Sequence, residues 1–329
     1  LSEDGGRWHY RHARRYVLGL LGCPPDILQD DIAEPGNGDV LIGLDISGGC
    51  LVQAAQYGLL QRWRAQGCKV HFILYDILPL RMPQVFPPGA DEACRCWLES
   101  VLQGDGVVCI SKSVAGDLRS WIDENEVSFR NRRSFGIEWF HLGADLSASD
   151  ASSGMPDDAR RTLEAIRQRP SFLMVGTIEP RKGHQQVIDA FGQLWAEGLE
   201  ANLIVVGQEG WKDLPPESRR DIHRTVECLR NHPQLGSKLF WLEGISDEYL
   251  ENVYAASACL IAASYGEGFG LPLIEAAHHG LPIVARDIPV FREVAGEHAY
   301  YFDASSPDEL GRSLKTWIDL YQRSDHPES

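Results

Sequence analysis

The sequence has no apolar run close to the roughly 20 residues of a membrane-spanning helix, and it does not open with a secretory signal pattern. It also has no Cys-x-x-Cys pair, and Cys94 and Cys96 are too close together for an ordinary zinc knuckle. We therefore expect neither a membrane-spanning segment nor a disulfide framework. Several of the eight cysteines lie in apolar runs, so we expect buried free thiols, a reducing compartment and a cytoplasmic protein.

Positive charge is scarce as well, because 31 Lys and Arg face 47 Asp and Glu and leave a net charge of −16. Nucleic acid and anionic membranes would repel such a chain as a whole, so we do not expect nucleic acid as a partner. Residues 7–15 are a local exception, in which aromatic and histidine side chains mix with Arg7, Arg11, Arg14 and Arg15. We interpret this stretch as the solvated face of a first helix. The alternative is a surface for an anionic acceptor or a lipid headgroup.

A length of 329 residues fits two domains of average size. Short apolar runs alternate with amphipathic stretches from one end to the other, which is typical of right-handed βαβ units on a parallel sheet. The sequence therefore predicts an α/β protein with two doubly wound, Rossmann-like domains. The predicted strands cover residues 40–46, 70–77, 107–110, 137–142, 172–178, 203–206, 239–242, 260–263 and 282–285.

A polar stretch of small residues, 147–154, interrupts this alternation near the midpoint. Such a composition predicts an interdomain hinge, so we expect one domain over residues 1–150 and another over residues 151–329. Ligands bind outside the carboxyl ends of the strands in such sheets, which predicts a central cleft between the domains. The first residue is Leu rather than Met, so we expect that the chain is a piece of a larger protein.

The first chemical signal is the pair Arg181-Lys182, which lies in the loop between a predicted strand and a predicted helix. Arg offers a bidentate fork and Lys a compact charge, and together they are suited to grip a diphosphate. On its own the pair is a weak signal, because neighbouring cations on a protein surface are usually just solvated.

The second signal is the glycine-rich stretch 262–272, in which a strand ends and Pro272 opens a helix. Glycines let the backbone approach a ligand, and the free N–H groups at a helix start attract negative charge. Glu267 and Glu275 bracket this stretch. Such a pair could act as acid and base in glycoside hydrolysis, or simply cap and solvate a helix. The nearby cations favour a phosphate-bearing sugar instead.

Taken in order, these motifs make residues 172–303 resemble the donor-binding domain of the family 4 retaining glycosyltransferases, which have the two-domain GT-B fold. Glu267 and Glu275 stand as the family's E-x7-E signature. Residues 280–285 and 288–293 resemble its next strand, loop and helix, and the turn that contains Ile245 resembles the one beside the nucleotide base. Among relatives, the segments around Arg181 and over residues 288–293 resemble bacterial O-antigen and polysaccharide mannosyltransferases.

The first half of the chain resembles this family more loosely. Gly48-Gly49 resembles a loop that faces the donor phosphates. Tyr75-Asp76 resembles a loop in which His usually precedes Asp, so only Asp76 is carried over, as an acceptor-side residue. Thr177 stands where the family usually has Arg, and Arg181 is our candidate to supply that charge. The two domains then become an acceptor side, 1–150, and a donor-binding side, 151–329.

The resemblance implies retaining transfer of a hexosyl group, best matched by mannosyl from GDP-mannose, to a hydroxyl of a growing bacterial surface glycan. Arg181 and Lys182 would stabilise the departing diphosphate, and Glu267 would contact the sugar. Glu275 would bind the ribose hydroxyls, and a phosphate oxygen of the leaving group would take the acceptor's proton. The residues assigned to donor binding are Gly48, Gly49, Ile245, Gly268, Phe269, Gly270, Leu271 and Glu275. We expect no metal and no further cofactor, because the cations make a metal unnecessary and no Asp-x-Asp motif is evident.

Two other functions stay open at this stage. The first is a sugar-nucleotide isomerase on the same fold, which would convert its substrate without an acceptor. The second is a non-catalytic or partner-dependent module that binds the donor only. For the transferase, we expect a glycan or lipid-linked glycan as acceptor, and a protein that is either free in the cytoplasm or peripheral at the inner membrane.

Overall fold

The computed structural model describes residues 2–4, 7–44, 48–125, 135–143 and 151–328. The chain divides into two compact units. The first unit comprises Leu1–Leu80 with Gly89–Phe140, and the second comprises Arg81–Pro88 with His141–Ser329. The boundary predicted after residue 150 falls beside residues 144–150, which lie outside the described residues, so that boundary stays a prediction.

The first unit begins with a three-stranded antiparallel sheet in the order β1-β2-β3. Its elements are β1 Ser2–Asp4, β2 Arg7–Arg11, helix α1 Arg14–Leu20 and β3 Ile32–Ala33. The interpretation of residues 7–15 as one helical face is therefore wrong. Trp8 and Tyr10, two positions apart, both pack on the core of this unit, and a period of two belongs to a strand.

Two of the four arginines of this region have carboxylate partners. Arg14 forms an ion pair with Asp31 at 2.6 Å, and Arg15 forms one with Asp26 at 2.9 Å. These pairs balance part of the local positive charge, and the alternative of an anion-binding surface stays a prediction.

A four-stranded parallel sheet, in the order β4-β5-β6-β7, forms the rest of the first unit. Alternate side chains of β5 (Val70, Phe72 and Leu74) are buried in one core with Trp97 and Leu118 of the surrounding helices. The elements are β4 Val40–Gly43, α2 Gly48–Gln56, α3 Leu59–Ala65, β5 Lys69–Leu74, α4 Leu78–Arg81, α5 Ala90–Val101, β6 Gly106–Cys109, α6 Lys112–Glu124 and β7 Gly136–Trp139.

The second unit is built on a six-stranded parallel sheet in the order β10-β9-β8-β11-β12-β13. The elements are α7 Ala159–Arg167, β8 Ser171–Val175, α8 His184–Ala196, β9 Asn202–Val206, α9 Ile222–Arg230, β10 Leu239–Leu242, α10 Asp247–Ala256, β11 Cys259–Ala262, α11 Leu271–His278, β12 Ile283–Arg286, α12 Pro289–Ala295, β13 Tyr300–Phe302 and α13 Pro307–Arg323. Counted along the unit, this is the order 3-2-1-4-5-6 of the doubly wound dinucleotide-binding fold.

Both faces of the second sheet are covered. Phe172 and Met174 of β8 lie in one hydrophobic core, and Leu173 between them lies in the core on the opposite face. This two-sided burial explains why the strands read as continuous apolar runs rather than as alternating ones.

Each strand predicted from the sequence overlaps an observed strand. The predicted strands 70–77, 137–142 and 172–178 continue past the observed strands. In the first and the last, Ile77 and Ile178 are only 1% exposed although they lie beyond the strands. Burial of an apolar loop residue looks like strand continuation in a sequence pattern. The prediction also missed β13 and the antiparallel sheet. β1, β3 and β13 have only two or three residues each, whereas β2 was interpreted as part of a helix.

The described part of the predicted hinge, residues 151–154, is hydrogen-bonded to the start of α10. The backbone N–H and hydroxyl of Ser152 donate to Asp247, and the backbone N–H of Gly154 donates to Glu248. Residues 147–150 of the predicted hinge lie outside the described residues.

The eight cysteines are free thiols, and Cys68, Cys109 and Cys259 are buried as expected. The remaining cysteines are at least partly exposed, so the expectation of burial holds for part of the set. No helix within the described ranges combines the length and the apolar character needed to cross a membrane.

Candidate active site

Two loops follow the neighbouring strands β8 and β11 at the centre of the second sheet. Residues 176–183 lead from β8 into α8, and residues 263–270 lead from β11 into α11. The chain winds outward in opposite directions from this pair of strands, since β8 continues to β9 and β11 continues to β12. Ligands of doubly wound sheets bind at such a switch point, outside the carboxyl ends of the strands.

Glycine allows the two loops to touch. Gly183 has a φ of +75°, and a Cβ added there would lie 2.5 Å from the carbonyl oxygen of Ala263. Any other residue would be strained and would push the loops apart. The backbone N–H of Tyr265 also donates to the carbonyl oxygen of Arg181 at 2.8 Å, so the two loops form one backbone framework.

Arg181 and Lys182 both reach Glu267 across this framework. Arg181 Nη1 lies 2.9 Å from Glu267 Oε2, and Lys182 Nζ lies 2.5 Å from Glu267 Oε1. Arg181 Nε also pairs with Glu179 at 2.8 Å, and the Ser264 hydroxyl donates to Glu267 at 2.7 Å. The three predicted catalytic residues therefore lie together, and with Glu179 their charges sum to zero.

The environment of Glu267 keeps its carboxyl group ionised. Burial alone would raise its pKa, but the adjacent charges of Lys182 and Arg181 outweigh burial and lower the pKa below its ordinary value. A general acid for glycoside hydrolysis needs a raised pKa. The geometry therefore disfavours the reading of Glu267 as an acid and fits a permanent negative charge.

His184 is a buried residue of this site that the sequence did not single out. It is 3% exposed and lines a cavity of about 20 Å³ together with Lys182, Ser264 and Glu267. Neither ring nitrogen has a hydrogen-bond partner among the described residues. Burial, with a smaller contribution from Lys182, lowers the pKa of His184 to about 3, so the ring is neutral at physiological pH. In the sequence, the one indication that His184 belongs to the site was its position directly after Gly183 of the loop.

Arg286 is a second residue that sequence reasoning missed. It lies at the end of β12 and donates to the carbonyl oxygens of Ala263 (3.0 Å) and Ala304 (2.7 Å) and to Gln186 Oε1 (2.5 Å). The guanidinium also lies 4.1 Å from the centre of the Tyr265 ring. Arg286 thus ties the start of the 263–270 loop to α8, and its only sequence signal was a cation at the end of an apolar strand.

The residues from Gly268 to Leu271 connect Glu267 with α11. Gly270 has a φ of +100° and precedes the helix as its N-cap. Phe269 is buried, with its ring centre 5.6 Å from that of His141, whereas Leu271 is exposed. The side chain of Phe269 therefore packs inside the protein and anchors the loop, and its backbone is the part that can contact a ligand.

Glu275 lies in the second turn of α11 and contacts a different partner. Its Oε2 accepts a hydrogen bond of 2.5 Å from the hydroxyl of Tyr254 in α10. Ile245 lies just before α10, in a turn closed by the Ser246 hydroxyl, which caps the helix by accepting from the backbone N–H of Tyr249. Ile245 thus lies in the turn before α10, Glu275 lies in α11, and the Tyr254–Glu275 hydrogen bond joins the two helices. The base and ribose contacts stay predictions.

The predicted residues of the first unit are described within that unit alone. Gly48 and Gly49 are the first residues of α2, and Asp76 follows β5 and accepts from the backbone N–H of Leu78 at 3.0 Å. Gly49 and Asp76 line one cavity of about 620 Å³, whose walls are mainly apolar and include Trp97. The roles predicted for Gly48, Gly49 and Asp76 stay predictions.

Across the described ranges, no group of three or more His, Cys, Asp and Glu side chains is placed to hold a metal ion. The expected absence of a metal nevertheless stays a prediction.

The model of the family described as "Glycosyl transferases group 1" matches residues 157–328. This match spans the whole second sheet and both loops of the site. The chain belongs to the glycosyl transferases group 1 family.

Two relatives of this group 1 member are mannosyltransferases by name. The serotype-specific mannosyltransferase WbdA of Escherichia coli is 43% identical over 97% of this chain, which spans only 38% of WbdA. The O-antigen chain mannosyltransferase B of Escherichia coli is 30% identical over 43% of this chain and 35% of its own length.

Among solved structures, the sucrose-phosphate synthase of Thermosynechococcus elongatus superposes with a TM-score of 0.63 at 20% identity. The match covers 87% of this chain and 66% of that one. At this identity the likeness bears on the fold alone, and it confirms the expected GT-B class with two Rossmann-like domains.

Proposed function

We propose that this chain is a retaining glycosyltransferase that moves a hexosyl group from a nucleotide sugar to a hydroxyl of a bacterial surface glycan. The observation that carries the proposal is the contact of Arg181 and Lys182 with Glu267 at the switch point of a doubly wound sheet. The proposed sugar and donor are mannose and GDP-mannose, which the names of the relatives support.

In this proposal the diphosphate binds at Arg181 and Lys182. Arg carries five N–H donors and Lys three, so both side chains can keep a contact with Glu267 while they bind phosphate oxygens. The start of α11 adds backbone N–H groups, which favour negative charge. The proposal includes no metal and no further cofactor.

The transfer step breaks the bond between the anomeric carbon and the diphosphate oxygen. The acceptor hydroxyl oxygen bonds to the same face of that carbon, so the configuration is retained, and its proton passes to the departing diphosphate oxygen. Positive charge develops on the sugar ring during this exchange. Glu267 stabilises that charge, because its carboxylate is fixed and ionised before the reaction begins.

The remaining roles belong to the same proposal. Glu275 binds the ribose hydroxyls, the turn at Ile245 lies against the base, and residues 268–271 bind the sugar and diphosphate through their backbone. Asp76, with Gly48 and Gly49, belongs to the acceptor and phosphate side of the first unit. The cytoplasmic location, either free or peripheral to the membrane, stays a prediction.

Transfer of labelled mannose from GDP-mannose to an O-antigen oligosaccharide tests the proposal. Replacing one preorganised charge contact of a transition state typically lowers kcat by about 10²- to 10³-fold, and we expect this loss for Arg181→Ala and for Glu267→Ala. Arg160→Ala is the matched control, since Arg160 is exposed on α7 and pairs with Glu164 of the same helix. Near-normal transfer by both site variants would contradict the proposal.

Two measurements on the same protein separate the rival functions: a titration with GDP and UDP sugars, and an assay without acceptor. Conversion of the donor into another sugar nucleotide without acceptor would indicate an isomerase. Tight donor binding without transfer to any oligosaccharide would indicate a donor-binding module. The titration also identifies the nucleotide base.

A further inference from the structure

Tyr254 is a buried residue whose hydroxyl, among the described residues, makes one hydrogen bond, and that bond is to a predicted ligand-binding carboxylate. The side chain is 2% exposed and packs in the core on one face of the second sheet. Its hydroxyl lies 2.5 Å from Glu275 Oε2. Among the described residues, Glu275 has no other side-chain hydrogen bond, so Tyr254 alone decides how this carboxylate is oriented.

The ring of Tyr254 is itself held in place by His279, the residue that follows α11. The two rings stack with their centres 5.0 Å apart and an interplanar angle of 8°. One hydrogen bond and one ring stack therefore join α10 to α11 and to the residue at its end. With its ring clamped and its backbone in a helix, Tyr254 holds its hydroxyl at one point.

The chemistry of the pair is directional. Burial raises the pKa of Tyr254, and the negative charge of Glu275 raises it further, so the phenol stays protonated and donates. A carboxylate offers two oxygens. The donated bond occupies Oε2 and leaves Oε1 for a ligand hydroxyl.

We propose that Tyr254 is a positioning residue for nucleotide binding, which presents Glu275 to the ribose hydroxyls of the donor. This inference rests on the proposed function, in which Glu275 binds the ribose. Tyr254 does not touch the donor. It acts through Glu275, so its effect falls on ligands that carry ribose hydroxyls and not on others.

The test compares binding of GDP with binding of 2′,3′-dideoxy-GDP, or of UDP and its dideoxy form if UDP is the preferred nucleotide. Tyr254→Phe keeps the ring and removes the hydroxyl. Without the phenol, Glu275 is no longer held toward the ribose, and the hydrogen bond from a ribose hydroxyl to its carboxylate is lost. Losing a hydrogen bond to a charged group should raise the Kd for GDP about tenfold. The Kd for the dideoxy nucleotide should not change. In the transfer assay the donor KM should rise while kcat changes less than about twofold, because no contact to the reacting atoms is removed.

Tyr249→Phe is the matched control, because Tyr249 is equally buried in the same helix and its hydroxyl lies beside Thr162 rather than Glu275. It should leave both Kd values unchanged. Thermal unfolding of both variants checks that the fold is intact. Equal weakening of GDP and dideoxy-GDP by Tyr254→Phe, or no weakening of either, would overturn the inference.

Glu275→Gln and the double variant separate this inference from the proposed function. If Tyr254 acts through Glu275, adding Tyr254→Phe to Glu275→Gln should weaken GDP binding no further. Additive losses would overturn the positioning role and leave the ribose contact standing. If Glu275→Gln alone leaves GDP binding unchanged, Glu275 does not bind the ribose. The ribose contact then drops out of the proposed function, and the positioning role of Tyr254 falls with it.

Discussion

Glu267 and Glu275 lie on one loop-and-helix segment, but their surroundings differ in kind. Glu267 contacts two cations and a serine hydroxyl, whereas Glu275 contacts one neutral phenol. The cations beside Glu267 are the groups that bind the diphosphate in the proposed function, so Glu267 shares its partners with the substrate. The phenol beside Glu275 binds no part of the diphosphate. One sequence signature thus holds a carboxylate whose partners also bind the substrate and another whose partner only orients it.

The largest effect that this comparison predicts is on catalysis by Glu267→Gln. The amide keeps the shape of the side chain and removes its charge, so the developing charge on the sugar loses its stabilisation. We expect kcat to fall about 10²- to 10³-fold, as measured by transfer at saturating donor. Glu275→Gln provides the contrast, since its kcat should change less than about twofold. Equal losses of kcat in the two variants would remove the distinction between the carboxylates.

Gly183→Ala should disturb the surroundings of Glu267 and spare those of Glu275. The added Cβ would lie 2.5 Å from the Ala263 carbonyl oxygen at a φ of +75°. We expect the free energy of unfolding to fall by about 2–3 kcal/mol, the scale of local backbone strain, as measured by urea denaturation.

Gly192→Ala in α8 is the control for this substitution. Its Cβ would meet only His232, at 4.0 Å, and Ala is favoured over Gly within a helix. That variant should be as stable as the parent or slightly more so. A Gly183→Ala protein of unchanged stability would show that the two loops are not tightly joined.

The smallest predicted effect concerns the neutral histidine beside Glu267. The pKa of His184 in the folded protein is about 3, below the ordinary value of 6.5. At a pH between these two values, His184 therefore binds a proton in the unfolded chain but not in the folded one. Stability from this residue is therefore present at pH 7 and is lost as the pH falls. Between pH 7 and pH 5 the loss should be about 2 kcal/mol.

Urea denaturation of His184→Gln at pH 7 and pH 5 measures this contribution, since the amide does not titrate. The variant should lose about 2 kcal/mol less than the parent over this interval. Equal pH dependence in both proteins would mean that His184 accepts a proton in the folded state. The charge balance around Glu267 would then involve more than Arg181, Lys182 and Glu179.

The sequence was sufficient to predict the parallel sheets and the proximity of Arg181, Lys182 and Glu267. These residues follow strands of apolar composition, and the carboxyl ends of parallel strands meet at one edge. Local patterns thus determine both the strands and the side chains that come next.

The residues that support this site could not be predicted in the same way. Tyr254 and Arg286 belong to apolar segments, where they look like core positions, and each acts on a residue more than ten positions away. Only the packing of helices and strands brings these groups together. The strand Arg7–Arg11 was misread for a related reason, because its partners in the core lie far along the chain.

The most direct test of the account is calorimetric titration of GDP into Glu267→Gln and Glu275→Gln side by side, with UDP if it is the preferred nucleotide. Removing the charge of Glu267 leaves the positive charges of Arg181 and Lys182 less compensated beside the diphosphate, so that variant should bind the nucleotide as tightly as the parent or more tightly. Loss of the Glu275 charge weakens the ribose contact, and the Kd should rise about tenfold. A shift of both variants in the same direction would contradict the account.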